Sequence, residues 1–330
     1  MRPRAVPPTS AAELSPATVA RFARDLGALC DVDRDRVLVA VSGGPDSVAL
    51  LLLTHAAIGG RCLAATVDHG LRAESADEAD WVAYLCESEG IDHAILRAPL
   101  PARVRHTANL SSRARALRYR LLEEHAAATG ADAIATAHHA DDQLETLVMR
   151  LNRGAGIAGL AGVRARGGRI IRPLLGWRRA ELVELVVAQG IEPVDDPSNV
   201  SDRFDRARLR KALARVDWLD ADRWAQSARA LGDAEDAIAW MVRHLESERV
   251  VADDDRIVLQ PAGIPFEVRR RLVERCILRL DPLADIRGPA LVRVVDTLDA
   301  GGRAMLGRVL CTAAPGPEWR FTEAPARRSL

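Results

Sequence analysis

Lysine is nearly missing from this chain. Lys211 is the only one among 46 basic residues, so arginine carries almost all the positive charge. Guanidinium forks suit bidentate contacts with phosphate, but so uniform a bias reflects coding composition rather than selection site by site. Aromatic residues make up only 4% of the sequence, which predicts aliphatic cores. Net charge is absent too: 46 acidic residues balance the 46 basic ones. Global charge therefore does not announce a nucleic-acid partner, and any basic surface must be local. The five cysteines stand apart at 30, 62, 86, 276 and 311, with no Cys-x-x-Cys pair. That spacing suggests neither a zinc knuckle nor a redox dithiol, and it fits reduced thiols in a cytoplasm. There is no apolar run of about 18 residues and no signal-peptide core, so a cytoplasmic location with no membrane partner is expected. Residues 1–12, with Pro3, Pro7 and Pro8, read as a loose tail.

What is present is a strand, a tight turn and a helix with unusual wording. Val37 to Val41 are apolar and mostly β-branched, as in a buried parallel strand. Ser42-Gly43-Gly44-Pro45-Asp46-Ser47 breaks the chain, and an apolar helical run follows to about Ile58. Pro45 suits the first helical position. Such a turn aims backbone N–H groups and a helix dipole at one spot, which suits phosphate. It is neither Gly-x-x-x-x-Gly-Lys nor Gly-x-Gly-x-x-Gly.

The 330 residues suggest two domains. Ser15 and Pro16 open a short helix running through Leu29. Further strands are expected at Cys62–Val67, His93–Arg97, Ala133–Thr136 and Arg169–Pro173, alternating with helices at Glu74–Glu89, Leu110–Thr129, 139 to about Leu151, and Arg179–Gln189. Alternation at this spacing predicts an α/β fold with a doubly wound parallel sheet. The first and fourth strands both end in polar motifs, so they are expected to be neighbours sharing one site. After Pro193 come a turn-rich stretch and a basic run, Arg203 to Lys211. From Asp217 the chain reads as mainly helical, with a short strand at Arg256–Leu259 and β-rich sequence beyond Arg303.

The fourth strand leads into His138-His139-Ala140-Asp141-Asp142-Gln143-Leu144-Glu145. Acidic residues near a helix N-terminus complement its dipole. That alone does not explain two histidines and two aspartates crowded at a strand end. Such a cluster can hold Mg²⁺ through carboxylates plus phosphates, or receive an ammonium group. Arg115 and Arg118 are three apart and can share a helix face toward a phosphate.

Ser42–Ser47 after an apolar strand resembles the pyrophosphatase loop (PP-loop) of the N-type ATP pyrophosphatases. Five segments in order resemble the bacterial tRNA(Ile)-lysidine synthetase family: Ser42–Ser47; Val67 to Arg72 with Glu74-Ser75; Ala114 to Tyr119; His138 to Thr146 with Arg153-Gly154-Ala155-Gly156 and Gly159-Leu160; and Arg172-Pro173-Leu174-Leu175. Asp196-Pro197-Ser198-Asn199 and the arginine run extend the match over about residues 36–215. One departure is Ala207, where the family usually has Asn; it bears on one hydrogen bond.

The resemblance implies a catalytic domain at 31–215 of the PP-loop, adenine nucleotide alpha hydrolase-like type. Residues 1–30 precede it, and a smaller, mainly helical, tRNA-contacting domain at 216–330 follows. It implies ATP-dependent ligation of free L-lysine to C2 of the wobble cytidine in a tRNA(Ile) with a CAU anticodon, using ATP and Mg²⁺. Ser42, Gly43, Gly44, Pro45, Asp46, Ser47 and Asp68 would bind the nucleotide. Asp46 and Asp142 are the candidates for metal or ammonium contacts, with Glu145 beside them and Arg115 in the catalytic set. His138 would hydrogen-bond a phosphate or act as a base, and the division of labour stays open. Arg203, Arg206, Arg208, Arg210 and Lys211 are the expected tRNA contacts. The alternatives are another PP-loop tRNA-modifying enzyme such as a thiolase, against which the absence of cysteine from these motifs argues, and a non-catalytic nucleotide-dependent RNA-binding module. Oligomeric state, monomer or homodimer, is not legible.

Overall fold

A computed structural model describes residues 14–68, 70, 74–97, 110–194, 205–213, 215–253, 256–313, 316 and 318–324. Contacts divide the chain into two compact units after Gly232. The expected loose tail, Arg203 and the 196–199 turn lie outside the described residues.

The first unit opens with α1 (Pro16–Gly27), capped by the Ser15 hydroxyl, which accepts from the Thr18 N–H at 3.2 Å. Then come β1 (Val37–Ala40), α2 (Pro45–Ile58), β2 (Cys62–Asp68), α3 (Glu74–Ser88), β3 (Asp92–Arg97), α4 (Leu110–Thr129) and β4 (Ala133–Ala135). They are followed by α5 (Ala140–Leu151), α6 (Ile157–Leu160), β5 (Arg166–Gly167), β6 (Ile170–Ile171), α7 (Arg179–Ala188) and α8 (Asp205–Leu213). Among the described residues the sheet has six strands in the order β3-β2-β1-β4-β6-β5. All pair in parallel except β5, which folds back on β6. The fifth strand expected at Arg169–Pro173 is present as the shorter β6, and β5 precedes it in a hairpin turning through Gly168, whose φ of +61° suits a residue without Cβ.

β1 lies between β2 and β4, as expected from the motifs at its end and at the end of β4. Its side chains alternate. Val37 and Val39 pack with α2 on one face, and Leu38 packs with Leu122 and Ala126 of α4 on the other. Both faces are buried, which is why the strand is a continuous apolar run. α2 carries Leu50 to Leu53 nearly free of solvent, so it is apolar all round, as a central helix must be. Fully burying each such leucine stabilises by about 1.5–3 kcal/mol. Because β1 and β4 pair in parallel, their C-terminal ends lie side by side at the centre of the sheet, where doubly wound folds bind ligands.

α9 (Ala221–Arg249) follows. A domain boundary near 215 was expected; the division falls later because Ala221 and Ala225 pack against Ala140 and Leu144 of α5. The second unit continues with β7 (Val250–Ala252), β8 (Arg256–Leu259), α10 (Phe266–Leu280), α11 (Gly288–Asp299), β9 (Arg303–Leu306), β10 (Val309–Ala313) and β11 (Trp319–Glu323). Helices supply most of its regular structure, around an antiparallel sheet that has five strands among the described residues, ordered β7-β8-β11-β10-β9. Leu272, Val273 and Ile277 of α10 and Val294 and Val295 of α11 form its core with Val309, Cys311 and Phe321. Arg271 of α10 clasps Glu235 of α9 at 2.6 and 2.7 Å and Glu267 at 2.7 Å.

Candidate active site

The turn after β1 is held by serines. Ser47 Oγ donates to the Gly44 carbonyl at 2.9 Å and accepts from the Ser42 N–H at 3.1 Å. Gly43 has φ +85°, and a Cβ there would meet Val194 at 3.1 Å. Gly44 differs: a Cβ would touch only Ser42 Oγ at 3.9 Å, so the fold itself has room for one. The backbone N–H groups of Gly43, Gly44 and Asp46 find no acceptor among the described residues, and they surround the N-terminus of α2. Unsatisfied donors, a dipole and an open approach at Gly44 make a cradle for phosphate.

His139 ends the β4 connection as the N-cap of α5, with Asp142 at the third helical position. The Asp142 carboxylate accepts from the His139 N–H at 3.2 Å. The ring is 2% exposed. Its Nε2 stands 3.6 Å from Asp46 Oδ2 and 3.6 Å from Asp142 Oδ2, and its Nδ1 stands 3.6 Å from Asp141 Oδ2. The Asp142 N–H also lies 3.4 Å from Nδ1, a contact that only a neutral ring could accept. Three carboxylates outweigh that one long contact. Burial by itself lowers the pKa of His139, but the hydrogen-bonding carboxylates of Asp141 and Asp46 and the charge of Asp142 raise it to about 10. Asp141 and Asp142 are in turn held below the usual carboxylate range; burial opposes ionisation, and His139 with the neighbouring donors overcomes it. A buried imidazolium thus joins the PP-loop helix to α5.

Asp46 Oδ1 is buried with no hydrogen-bond partner and lies 3.7 Å from Arg179 Nε. Arg179 also donates its backbone N–H to Asp141 at 2.8 Å. His138 is different from its neighbour. Burial, helped by Arg172, Arg115 and Arg118 and opposed by Asp142, pushes its pKa down to about 4. It is neutral at pH 7 and a weak base, with Nδ1 3.0 Å from Thr136 Oγ1.

Glu145 is buried and fully engaged: Arg210 donates to it at 2.6 and 3.1 Å and Arg206 at 3.0 Å. Arg206 also reaches Thr146 Oγ1 at 3.0 Å and lies 3.7 Å from Asp142. Glu145 is thus an arginine-paired carboxylate beside the metal candidates, and Arg206 and Arg210 each commit part of their donor set to it while their side chains remain 41% and 30% exposed. Arg208 and Lys211 are the exposed members of the run. Asp68 accepts from the Gly70 N–H at 2.8 Å and the Ser75 hydroxyl at 2.7 Å, so one of its oxygens shapes the turn after β2. Arg115 lies on α4 with Nη2 3.1 Å from the Tyr119 hydroxyl.

The fold brings Ser42 to Ser47, His138, Asp142 and Glu145 together at the ends of β1 and β4. It adds His139, Asp141 and Arg179, to which the sequence reading gave no separate role. The signal for His139 was its place directly before a helix, where a side-chain acceptor is wanted. No cysteine joins it: Cys62, Cys86, Cys276 and Cys311 are buried in cores, and burial pushes each thiol up to about 12. Among the described residues no group of three or more metal-ligating side chains occurs, and no helix is long and apolar enough to cross a membrane.

Residues 18–216 match the PP-loop domain family. The chain is 46% identical over 301 residues to the tRNA(Ile)-lysidine synthase of Novosphingobium aromaticivorans, covering 89% of this chain and 90% of that protein. It is 39% identical over 298 residues to the protein of the same name from Zymomonas mobilis, covering 88% and 89%. In three dimensions it is similar to the U34-tRNA thiolase NcsA of Methanococcus maripaludis, with a TM-score of 0.53 over 67% of this chain and 77% of that one. At 20% identity that likeness shows the fold alone.

Proposed function

The chain belongs to the tRNA(Ile)-lysidine synthase family of PP-loop proteins, and from that premise we propose that it makes lysidine. The C2 oxygen of the wobble cytidine, in a tRNA(Ile) with a CAU anticodon, attacks the α-phosphorus of ATP, and pyrophosphate leaves. The ε-amine of free lysine then adds at C2, loses its proton, and AMP departs with the oxygen. One C–N bond is formed and one C–O bond is broken.

The observation that carries this reading is the pairing of β1 with β4. It brings the PP-loop and the acidic cluster to one sheet edge, with Asp46 and Asp142 on the same imidazole nitrogen. Ser42, Gly43, Gly44, Ser47 and the α2 terminus would hold the pyrophosphate through preorganised donors. Mg²⁺ would be held by the carboxylates of Asp46 and Asp142, of which Asp46 Oδ1 lacks a hydrogen-bond partner, together with phosphate oxygens. When bound, that ion would neutralise charge growing on the leaving group. Asp142, kept ionised by His139 and Arg206, would orient the lysine ammonium through its negative charge. Glu145 acts through Arg206, which it seats beside Asp142. Arg208, Lys211 and the C-terminal unit would contact tRNA outside the anticodon, where methionine tRNA, with the same unmodified anticodon, can be told apart. The work belongs in the cytoplasm, where tRNA is found.

The test is mass spectrometry of nucleosides from tRNA(Ile) transcript incubated with the protein, ATP, Mg²⁺ and lysine. Lysidine should appear only when all are present. A thiolated nucleoside, or ATP binding without any modified base, would remove the proposal in favour of a thiolase or a binding module.

A further inference from the structure

Several arginines near the site have a carboxylate: Arg206 and Arg210 have Glu145, and Arg178 and Arg179 have Asp141 and Asp46. A group of three on the α4 side does not. Among the described residues no carboxylate pairs with Arg115, Arg118 or Arg172. All three gather at Tyr119. Arg115 and Arg118 lie 5.0 and 5.5 Å from its ring centroid, and Arg115 reaches its hydroxyl. Arg172 follows β6 and donates one Nη to the Arg164 carbonyl at 2.7 Å, while its Nε is buried with no acceptor. Burial should make the Tyr119 phenol harder to ionise, yet the three guanidinium charges lower its pKa, and the same charges help hold His138 neutral. This is a concentrated positive field with unused donors, running from exposed Arg115 to half-buried Arg118 and Arg172.

We infer that Arg115, Arg118 and Arg172 bind a backbone phosphate of the RNA substrate and so deliver the target base to the sheet edge. The inference rests on the tRNA reading above. Geometry favours RNA over ATP. The PP-loop helix α2 packs on the Val37 and Val39 face of the sheet, whereas α4, which carries Arg115 and Arg118, packs on the Leu38 face. One phosphate cradle therefore stands on each face, and the reaction joins two phosphate-bearing substrates at the edge between them. A planar fork with several N–H donors can grip a phosphodiester bidentately, which a lysine in the same place could not.

The experiment uses the full chain and the anticodon stem-loop of tRNA(Ile), with affinity measured over a range of salt. Arg118→Gln and Arg172→Gln should each weaken RNA binding about tenfold and reduce the slope of log K against log salt by about 0.7. ATP affinity measured by calorimetry without RNA should stay at its wild-type value, and Arg118→Lys should restore the salt slope with only part of the affinity. A second measurement needs no variant: stem-loops carrying a single neutral methylphosphonate should show one position whose neutralisation weakens binding to wild-type protein. At that position Arg118→Gln should add no further loss. Lost ATP affinity with unchanged RNA binding would assign the cluster to the nucleotide and overturn the inference. So would a methylphosphonate scan with no sensitive position. If wild-type protein forms lysidine yet behaves in either of these ways, only the phosphate site falls; if it forms none, the proposed function falls with it.

Discussion

Asp46 Oδ1 is buried, ionisable and without a hydrogen-bond partner, 3.7 Å from an arginine nitrogen that also lacks one. A fold would not keep such an atom for stability, because an unmet buried acceptor is a cost. Asp46→Asn removes one of the three carboxylates around His139, so it should lower the thermal unfolding midpoint modestly while the protein still folds, and it should lower lysidine formation by about 10²–10³, the usual effect of removing one preorganised charge contact. Wild-type turnover in this variant would place the chemistry elsewhere. Glu145 is the opposite case. Its side chain is 4% exposed and it bonds two arginines, so Glu145→Gln leaves Arg210 without its counter-ion and Arg206 with only the 3.7 Å contact to Asp142. A loss of about 2 kcal/mol in urea unfolding is expected, less than for a fully buried pair because both arginines reach solvent. Reduced activity at unchanged stability would show that Glu145 meets substrate instead.

At the scale of elements, the two loop glycines separate folding from binding. Gly44→Ala fits the protein but fills the cradle, so ATP affinity should fall while the fold persists. Gly43→Ala forces a side chain to φ +85° against Val194, so it should lower the unfolding midpoint whatever it does to ATP. Calorimetry beside thermal melts checks both, and a Gly44→Ala protein with intact ATP binding would refute the cradle. The PP-loop and the acidic motif were legible in the sequence because each is a contiguous string at the end of an apolar strand. The adjacency of β1 and β4 followed from the rule that ligands sit where connections diverge. The strand expected at Arg169–Pro173 contains β6 alone and β5 was missed, although the Gly167-Gly168 pair before it is a turn signal. The direction of Arg206 and Arg210 was out of reach for a different reason. Helical spacing places them on one face but does not say whether that face meets water or Glu145, which lies far away in sequence.

The whole molecule carries equal numbers of acidic and basic residues, and the second unit uses them in pairs. Glu267 shows what this means for acid stability. Hydrogen bonds from Arg270 and then Arg271, against some burial, lower its pKa from 4.5 to about 2. A carboxylate depressed in the folded state contributes stability that is complete above pH 4.5 and disappears as pH falls through about 2. Urea midpoints of the wild type should fall over that window more steeply than those of Glu267→Gln, and the two curves should converge near its lower end. Parallel curves would mean that the clasp of Arg271 does not need the charge of Glu267.

The strand order has a consequence for how the protein comes to exist. β1 is the first strand made, yet it ends up in the middle, with β2 on one side and β4 on the other. A nascent chain that has emerged only through β3 can pair β1, β2 and β3 and already displays the PP-loop, but α5 and its acids are not yet present. Contacts of long sequence separation form late because loop closure must come first. In refolding, helical signal should therefore recover ahead of ATP-dependent chemistry. Asp46 comes with the cradle, but Asp142 joins it only when the fourth strand docks, so on the proposed function incomplete chains should be chemically silent.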